Sequence, residues 1–150
     1  MKSLRNARDK NEILARLEKL HPGSQRLWGK MSVHQMVCHL SDGYKVYSGQ
    51  IPAAPAGSPR RFVKHVALWV PVPWPKGVKT VAEVDQERDG TRPIEFIRDL
   101  DELAMLVDQF TKLQPDFRWP DHPIFGRMSH SDYMRLGYLH PDHHLRQFGI

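Results

Sequence analysis

The sequence predicts an all-α fold, a four-helix bundle that occupies residues 1–150 as a single domain. Three observations lead to this prediction. Apolar residues recur every three or four positions in four long stretches, as they do on one face of a helix. No stretch carries a strand signal strong enough to compete. Between the second and third stretches, proline and glycine accumulate where a long crossover connection would run.

The first two predicted helices lie in the N-terminal third of the chain. The first extends from about Ser3 to Leu20, where the sequence HPG stops it. The second follows Ser32, a residue that is favourable at the N-cap, and its apolar face continues to Tyr47. The stretch QIPAAPAGSP then ends it and is predicted to be an exposed connection.

The crossover is predicted to contain one short extra helix, from Arg60 to Val70. The following PVPWPKG excludes both helix and central strand, because its three prolines remove backbone donors and fix φ. The stretch VKTVAEVDQ fits either an extended segment or a loop.

The third and fourth bundle helices are predicted in the C-terminal part. The third begins near Asp99, with Glu102 completing a capping box. The fourth extends from Ser129 to Phe148 and contains Pro141. Because residue 137 is a glycine, which tolerates a local bend, we expect a kinked but continuous helix. The alternative is a break, with Pro141 as the first residue of a new short helix.

Composition limits the possible functions. No segment is apolar enough to span a bilayer, and the charged N-terminus lacks the apolar run of a signal peptide. Cys38 is the single cysteine, which excludes an internal disulfide framework. We therefore expect a cytoplasmic protein. The net charge of +5 is spread thinly along the chain, so we expect a solvated basic surface and no nucleic-acid partner, with nucleic-acid binding through this surface as the alternative. We expect no membrane partner either.

The last predicted helix carries an unusual apolar face. Around the helical wheel, His140, His144 and Gln147 share the face marked by Tyr133 and Leu136, where a plain bundle helix would carry leucines. Buried imidazoles are unfavourable unless each finds a partner. Two histidines at i and i+4 can both reach one ion, although the same spacing also occurs in packed histidines.

A third ligand would have to come from a neighbouring helix, and His39 of the second helix is the best candidate. Three neutral imidazoles suit a zinc-class or nickel-class divalent ion and leave a position for water or substrate. His143 and Gln147 are candidate catalytic residues: His143 could face a substrate or be a surface residue, and Gln147 could hydrogen-bond to a ligand histidine. His34 and Asp142 are predicted to be solvated.

Four segments of the sequence resemble a known superfamily. The sequence HPDHHLRQFG resembles the last-helix signature of the DinB/YfiT-like superfamily, a His-x-x-His-His run before an Arg and a Gln. The sequence RLWGKMSVHQMVCHLSD resembles the second-helix segment of the same superfamily, with its His before Leu. PWPKGVKTVAEVD and HPIFGRMSHSDYMRLGYLH are similar to one uncharacterised branch of it. The resemblance extends from about Trp28 to Gly149, with Pro141 as a departure inside the motif.

This resemblance implies a four-helix bundle that binds one divalent metal ion through His39, His140 and His144. Members of the superfamily include S-transferases that use low-molecular-weight thiols such as bacillithiol or mycothiol, and isomerases, and they are often dimers. We therefore expect a metal-dependent transferase or hydrolase that activates a thiolate or water for a small-molecule substrate, in a chain that can form a homodimer. The alternative is a non-catalytic, metal-stabilised binding or stress-response module.

Overall fold

The computed structural model describes residues 1–57, 61–77 and 80–150. Over these residues the fold is all-helical, with five α-helices, one 3-10 helix and no β-strand. In chain order the elements are α1 (Ala7–Leu17), α2 (Val33–Tyr47), α3 (Arg61–Trp69), the 3-10 helix Ala82–Val84, α4 (Phe96–Thr111) and α5 (His130–Gln147). The predicted all-α class is confirmed for the described residues, in which no helix is long and apolar enough to cross a membrane.

The starts of α2 and α5 are set by local sequence. Ser32 precedes α2, and its hydroxyl oxygen accepts a hydrogen bond from the backbone N–H of Gln35. In turn, the side-chain oxygen of Gln35 accepts a hydrogen bond from the backbone N–H of Ser32. Ser129 and Asp132 form the same reciprocal pair at the start of α5. These capping boxes satisfy amide groups that have no partner within the helix. Both starts agree with the predicted ones.

The predicted start of α4 is wrong. The helix begins at Phe96, three residues before Asp99, and Glu95 is its N-cap. The Glu95 carboxylate accepts the backbone N–H groups of Ile97 and Arg98. Asp99 therefore lies inside the first turn, and its side chain is free for contacts with another helix. At the N-terminus, α1 is also shorter than predicted.

The predicted crossover lies between α2 and α4. Of the extra helix predicted from Arg60 to Val70, Arg60 lies outside the described residues, and the helix observed is α3. In VKTVAEVDQ, residues 78–79 lie outside the described residues, and the remainder contains the 3-10 helix Ala82–Val84. The indole N–H of Trp69 donates to the Asp132 carboxylate at 2.9 Å and so ties α3 to the start of α5.

The helices pack pairwise around one hydrophobic core. Helix α2 packs against α4 and α5, α1 packs against the same two helices, and α3 packs against α5. The 3-10 helix contacts α2. Among the most deeply buried side chains are Ile13, Met36, Leu40, Leu103, Val107, Leu136 and Leu145. This packing brings the middle of α2 against the C-terminal half of α5.

Helix α5 continues through Pro141 without a break. Proline has no N–H, so the carbonyl of Gly137 loses its partner within the helix. The hydroxyl of Tyr44 donates to this carbonyl at 2.6 Å and replaces the missing bond. Gly137 also permits close packing, because a Cβ atom there would lie 2.9 Å from both Leu4 and Phe110. The predicted continuity of the helix is confirmed, and the kink at Pro141 stays a prediction.

Candidate metal centre

Three histidines meet between α2 and α5. His39 lies on α2, and His140 and His144 lie one turn apart on α5. One nitrogen of each ring lies within 4.8 Å of the other two, and Nε2 of His39 is 3.0 Å from Nε2 of His140. The ring centroids are 4.8 to 5.0 Å apart. The structure thus brings together the three predicted ligands.

The ring of His39 is fixed by a backbone carbonyl. Its Nδ1 lies 2.7 Å from the carbonyl oxygen of Val84, in the 3-10 helix. A carbonyl can only accept, so Nδ1 carries the proton in the neutral ring and Nε2 carries the lone pair. His39 therefore presents an unprotonated Nε2 towards the other histidines.

The ring of His144 is fixed by a relay through Gln147. The amide nitrogen of Gln147 donates to the carbonyl of Trp28 at 2.9 Å, which leaves the amide oxygen to accept from Nδ1 of His144, also at 2.9 Å. The proton of His144 thus lies on Nδ1, and Nε2 is again the lone-pair nitrogen. Gln147 is 2% exposed, so its two bonds are made in a buried environment.

The third ring, His140, can adopt either tautomer. Its Nδ1 lies 2.9 Å from the hydroxyl oxygen of Tyr47, a group that can donate or accept. With the proton on Nε2, His140 donates to Nε2 of His39. With the proton on Nδ1, it donates to Tyr47 and offers Nε2 as a lone pair. Gly43 gives the ring its space, since a Cβ atom there would lie 3.2 Å from the ring.

All three rings are electrically neutral at neutral pH. Burial lowers the pKa of His39, although the bond to the Val84 carbonyl acts in the opposite direction. Burial, followed by repulsion from His39 and His144, holds the pKa of His140 well below its usual range. Burial and repulsion from His39 lower the pKa of His144 to about 3. Neutral imidazoles are the form that binds metal ions.

Aromatic side chains border the three histidines on one side. His143 packs edge-on against Trp28, with ring centroids 4.8 Å apart, and lies 5.8 Å from the Trp74 ring. The ammonium of Lys76 lies 5.4 Å from the centre of the Trp28 ring. His143 is not one of the three rings that share the central point, and burial lowers its pKa. It therefore lies at the edge of the candidate site.

His122 is a turn residue outside the three-histidine group. Its Nδ1 accepts the backbone N–H groups of Ile124 and Phe125, each at 3.2 Å, and its ring stacks on Phe125. Burial lowers the pKa of His122 to about 4.

Two side chains predicted to be solvated make contacts with other helices instead, and His34 stays partly exposed. The Nε2 of His34 lies 2.7 Å from the carboxylate of Asp99, which also accepts from the Cys38 thiol at 3.8 Å. Asp142 lies against α1, with its carboxylate 2.6 Å from the guanidinium of Arg16. The helical wheel placed both residues away from the main apolar face correctly. It could not show that other helices cover that second face.

The comparison with known proteins gives one family. A family described as "Protein of unknown function (DUF1569)" matches residues 2–149 of the chain. Neither the curated proteins nor the solved structures yielded a match. Because the family match covers all but the two terminal residues, the chain belongs to DUF1569, a family whose function is unknown.

Proposed function

We propose that His39, His140 and His144 bind one divalent metal ion and that the protein is a metal-dependent enzyme. The observation that supports this most is the orientation of the rings. Val84 holds the proton of His39 on the ring nitrogen remote from the cluster, and Gln147 does the same for His144. Metal-ligating histidines usually make such a bond to an oxygen through their second nitrogen.

The donor set favours zinc or nickel. Three neutral imidazoles form a borderline-soft site with no carboxylate among the grouped atoms, which suits zinc-class and nickel-class ions better than magnesium or calcium. Three protein ligands leave a position for a further ligand, as in catalytic zinc sites. A bound ion would supply Lewis-acid chemistry, acidifying a water molecule or holding a substrate thiol as the thiolate.

Residues around the three histidines would orient the ligand rings and shield the site from water. The hydroxyl oxygen of Tyr47 can accept a hydrogen bond from Nδ1–H of His140 and so hold that ring in the ligand tautomer. His143 lies at the edge of the site beside Trp28 and Trp74, where its ring could exchange a proton with a substrate. The two indoles would exclude water from one side. We propose a small-molecule substrate, including a low-molecular-weight thiol, and a transferase or hydrolase activity.

The fold supports a relationship to the DinB/YfiT-like superfamily. We propose that α1, α2, α4 and α5 form its four-helix bundle, with α3 and the 3-10 helix in the crossover. The support is the mutual packing of these four helices and the location of the histidines on the second and last of them. A homodimer, a cytoplasmic location and the absence of nucleic-acid partners belong to the same proposal.

Metal binding can be tested on the purified protein. Elemental analysis should find at least one zinc or nickel ion per chain, and the metal-free protein should take up one ion at the three histidines in a titration. His140→Ala and His144→Ala should each weaken binding at least ~100-fold, because they remove ligands. His21→Ala is the matched control, since His21 is exposed and lies outside the group. A wild-type protein that binds neither ion would refute the proposal.

The same variants separate an enzyme from a metal-stabilised binding module. The second function is worth testing because the proposed ligands join α2 to α5, so an ion could act as a cross-link. If the ion is structural, His140→Ala should unfold the protein. If it is catalytic, the variant should retain its helical circular dichroism spectrum and lose activity in a screen of thiol-transfer and hydrolysis substrates.

A further inference from the structure

A second cluster of metal-ligating side chains lies between α2 and α4. His34 and Cys38 are one turn apart on α2, and Asp99 lies in the first turn of α4. One ligand atom from each lies within 4.8 Å of the others. The carboxylate oxygen of Asp99 is 2.7 Å from the ring nitrogen of His34 and 3.8 Å from the sulfur of Cys38.

We propose that His34, Cys38 and Asp99 form a second metal site, which binds one thiophilic divalent ion of the zinc or cadmium class. Tetrahedral zinc with nitrogen, oxygen and sulfur ligands places neighbouring ligand atoms about 3.3–3.7 Å apart. The two separations from Asp99 lie on either side of this range. Small side-chain rotations would therefore bring the three atoms to ligand distances, with solvent completing the coordination.

The charges of the three groups fit a divalent ion. Asp99 is negative and Cys38 becomes negative as it binds, so the two together balance the charge of one ion. The thiol proton passes to solvent. In the metal-free fold the proton of neutral His34 lies on Nε2, which donates to the Asp99 carboxylate, so the ring changes tautomer and carries its proton on Nδ1 when Nε2 binds the ion. The backbone N–H of Ile94 donates to the same carboxylate oxygen at 3.1 Å and helps to hold it in place.

The cluster is buried but reachable. Cys38 is 2% exposed, whereas the His34 side chain retains 22% of its surface, so an ion can approach from the His34 side. The ring of Phe96 packs edge-on against His34 at 5.3 Å and limits how that ring can turn. Restricted ligand motion lowers the entropic cost of binding.

This site is distinct from the three-histidine group. Cys38 and His39 are consecutive residues on α2 and therefore point about 100° apart around the helix axis. His39 faces α5, and Cys38 contacts α4. Only the second site has a sulfur donor, so it should favour softer ions than the first. Because the two donor sets differ, spectroscopy can tell them apart.

Cobalt(II) is the probe that separates the two sites. Cys38 is the single cysteine in the chain, so a thiolate-to-cobalt charge-transfer band can come only from this residue. The reduced, metal-free protein should take up about two equivalents of cobalt in a titration. One of them should give this near-ultraviolet band, in addition to the d–d absorption that cobalt shows in both sites. Cys38→Ser should remove the band, and Asp99→Asn should weaken the binding that produces it at least ~10-fold. His140→Ala should retain it.

The wild-type spectrum decides the question even if a variant does not fold. Absence of the charge-transfer band at saturating cobalt, in protein with a native helical spectrum, would overturn the proposal. A band that survives both His34→Gln and Asp99→Asn would also overturn it, because Cys38 would then bind with other partners. Saturation at about one equivalent of cobalt, with the charge-transfer band at full intensity, would instead count against the three-histidine site alone.

Discussion

At the scale of single residues, the direction of one hydrogen bond determines how His122 responds to pH. Its Nδ1 accepts two backbone N–H groups, so this nitrogen must remain unprotonated in the folded protein. Protonation would place a third N–H against those two donors. Burial lowers the folded pKa to about 4, whereas the unfolded chain has the ordinary value of about 6.5. The unfolded state therefore binds more protons between these values.

This difference predicts that His122 destabilises the fold in mild acid. The stabilisation that neutral His122 adds to the unfolding free energy is fully present above pH ~6.5. It is lost as the pH falls towards about 4, and the total loss is on the order of 3 kcal/mol. His122→Asn retains an acceptor for the two N–H groups, as in an Asx-turn, and does not titrate. Urea unfolding of metal-free protein from pH 7 to 4.5 should show a shallower loss of stability in the variant. Parallel curves would contradict the assignment.

Some site residues could be predicted from the sequence and others could not. Periodicity predicted that His140, His144 and Gln147 share the inward face, because side chains on one helix have a fixed angular relationship. The partner of His39 is a backbone carbonyl, which every residue carries, so no residue type could have indicated Val84. Gly43 could have been noticed, since it lies one turn after His39 on the same face, where a small residue leaves room for a ring.

At the scale of elements, α5 depends on a side chain from α2 to continue through its proline. Tyr44 is 2% exposed and donates to the Gly137 carbonyl that Pro141 leaves without an N–H. Tyr44→Phe should cost about 1–3 kcal/mol of unfolding free energy, because the carbonyl remains buried and unpaired. In a Pro141→Ala background the cost should be much smaller, since the N–H of residue 141 can then bond to Gly137.

A double-mutant cycle by urea denaturation measures this coupling. The four proteins are the wild type, Tyr44→Phe, Pro141→Ala and the double variant. Tyr138→Phe is a matched control, because its hydroxyl donates to Glu12 on α1 rather than to a carbonyl of α5. Additive effects of Tyr44→Phe and Pro141→Ala would show that the tyrosine does not compensate for the proline.

The boundaries of α4 show why local patterns fail where tertiary contacts decide. Asp99 followed by Glu102 matches a capping box, so the sequence placed the helix start there. The carboxylate of Glu95 caps the helix instead, and the carboxylate of Asp99 accepts hydrogen bonds from His34 and Cys38. Both acids could cap α4 on local grounds. The contacts that Asp99 makes with α2 decide which of the two acids caps the helix, and no local sequence pattern predicts those contacts.

At the scale of the whole molecule, the proposed three-histidine site connects distant parts of the chain. His39 and His140 are 101 residues apart in sequence. Even without an ion, His140 can donate to His39 and accept from Tyr47, so its hydrogen-bonding groups are satisfied. The histidine cluster therefore does not need an ion to compensate for its burial. We expect the metal-free protein to fold and the ion to add to an existing stability.

This expectation gives a quantitative prediction for metal removal. After chelation, the protein should keep its helical circular dichroism spectrum and unfold cooperatively. The Cys38→Ser protein lacks the sulfur of the second proposed site. In this protein, free zinc at 100 times the dissociation constant of the three-histidine site should raise the unfolding free energy by about 2.7 kcal/mol, because the ion binds the folded state alone. In the same Cys38→Ser background, the gain should vanish in His144→Ala and persist in His21→Ala. A chelated wild type that loses its helical spectrum would show instead that the ion is required for folding, as the structural alternative demands.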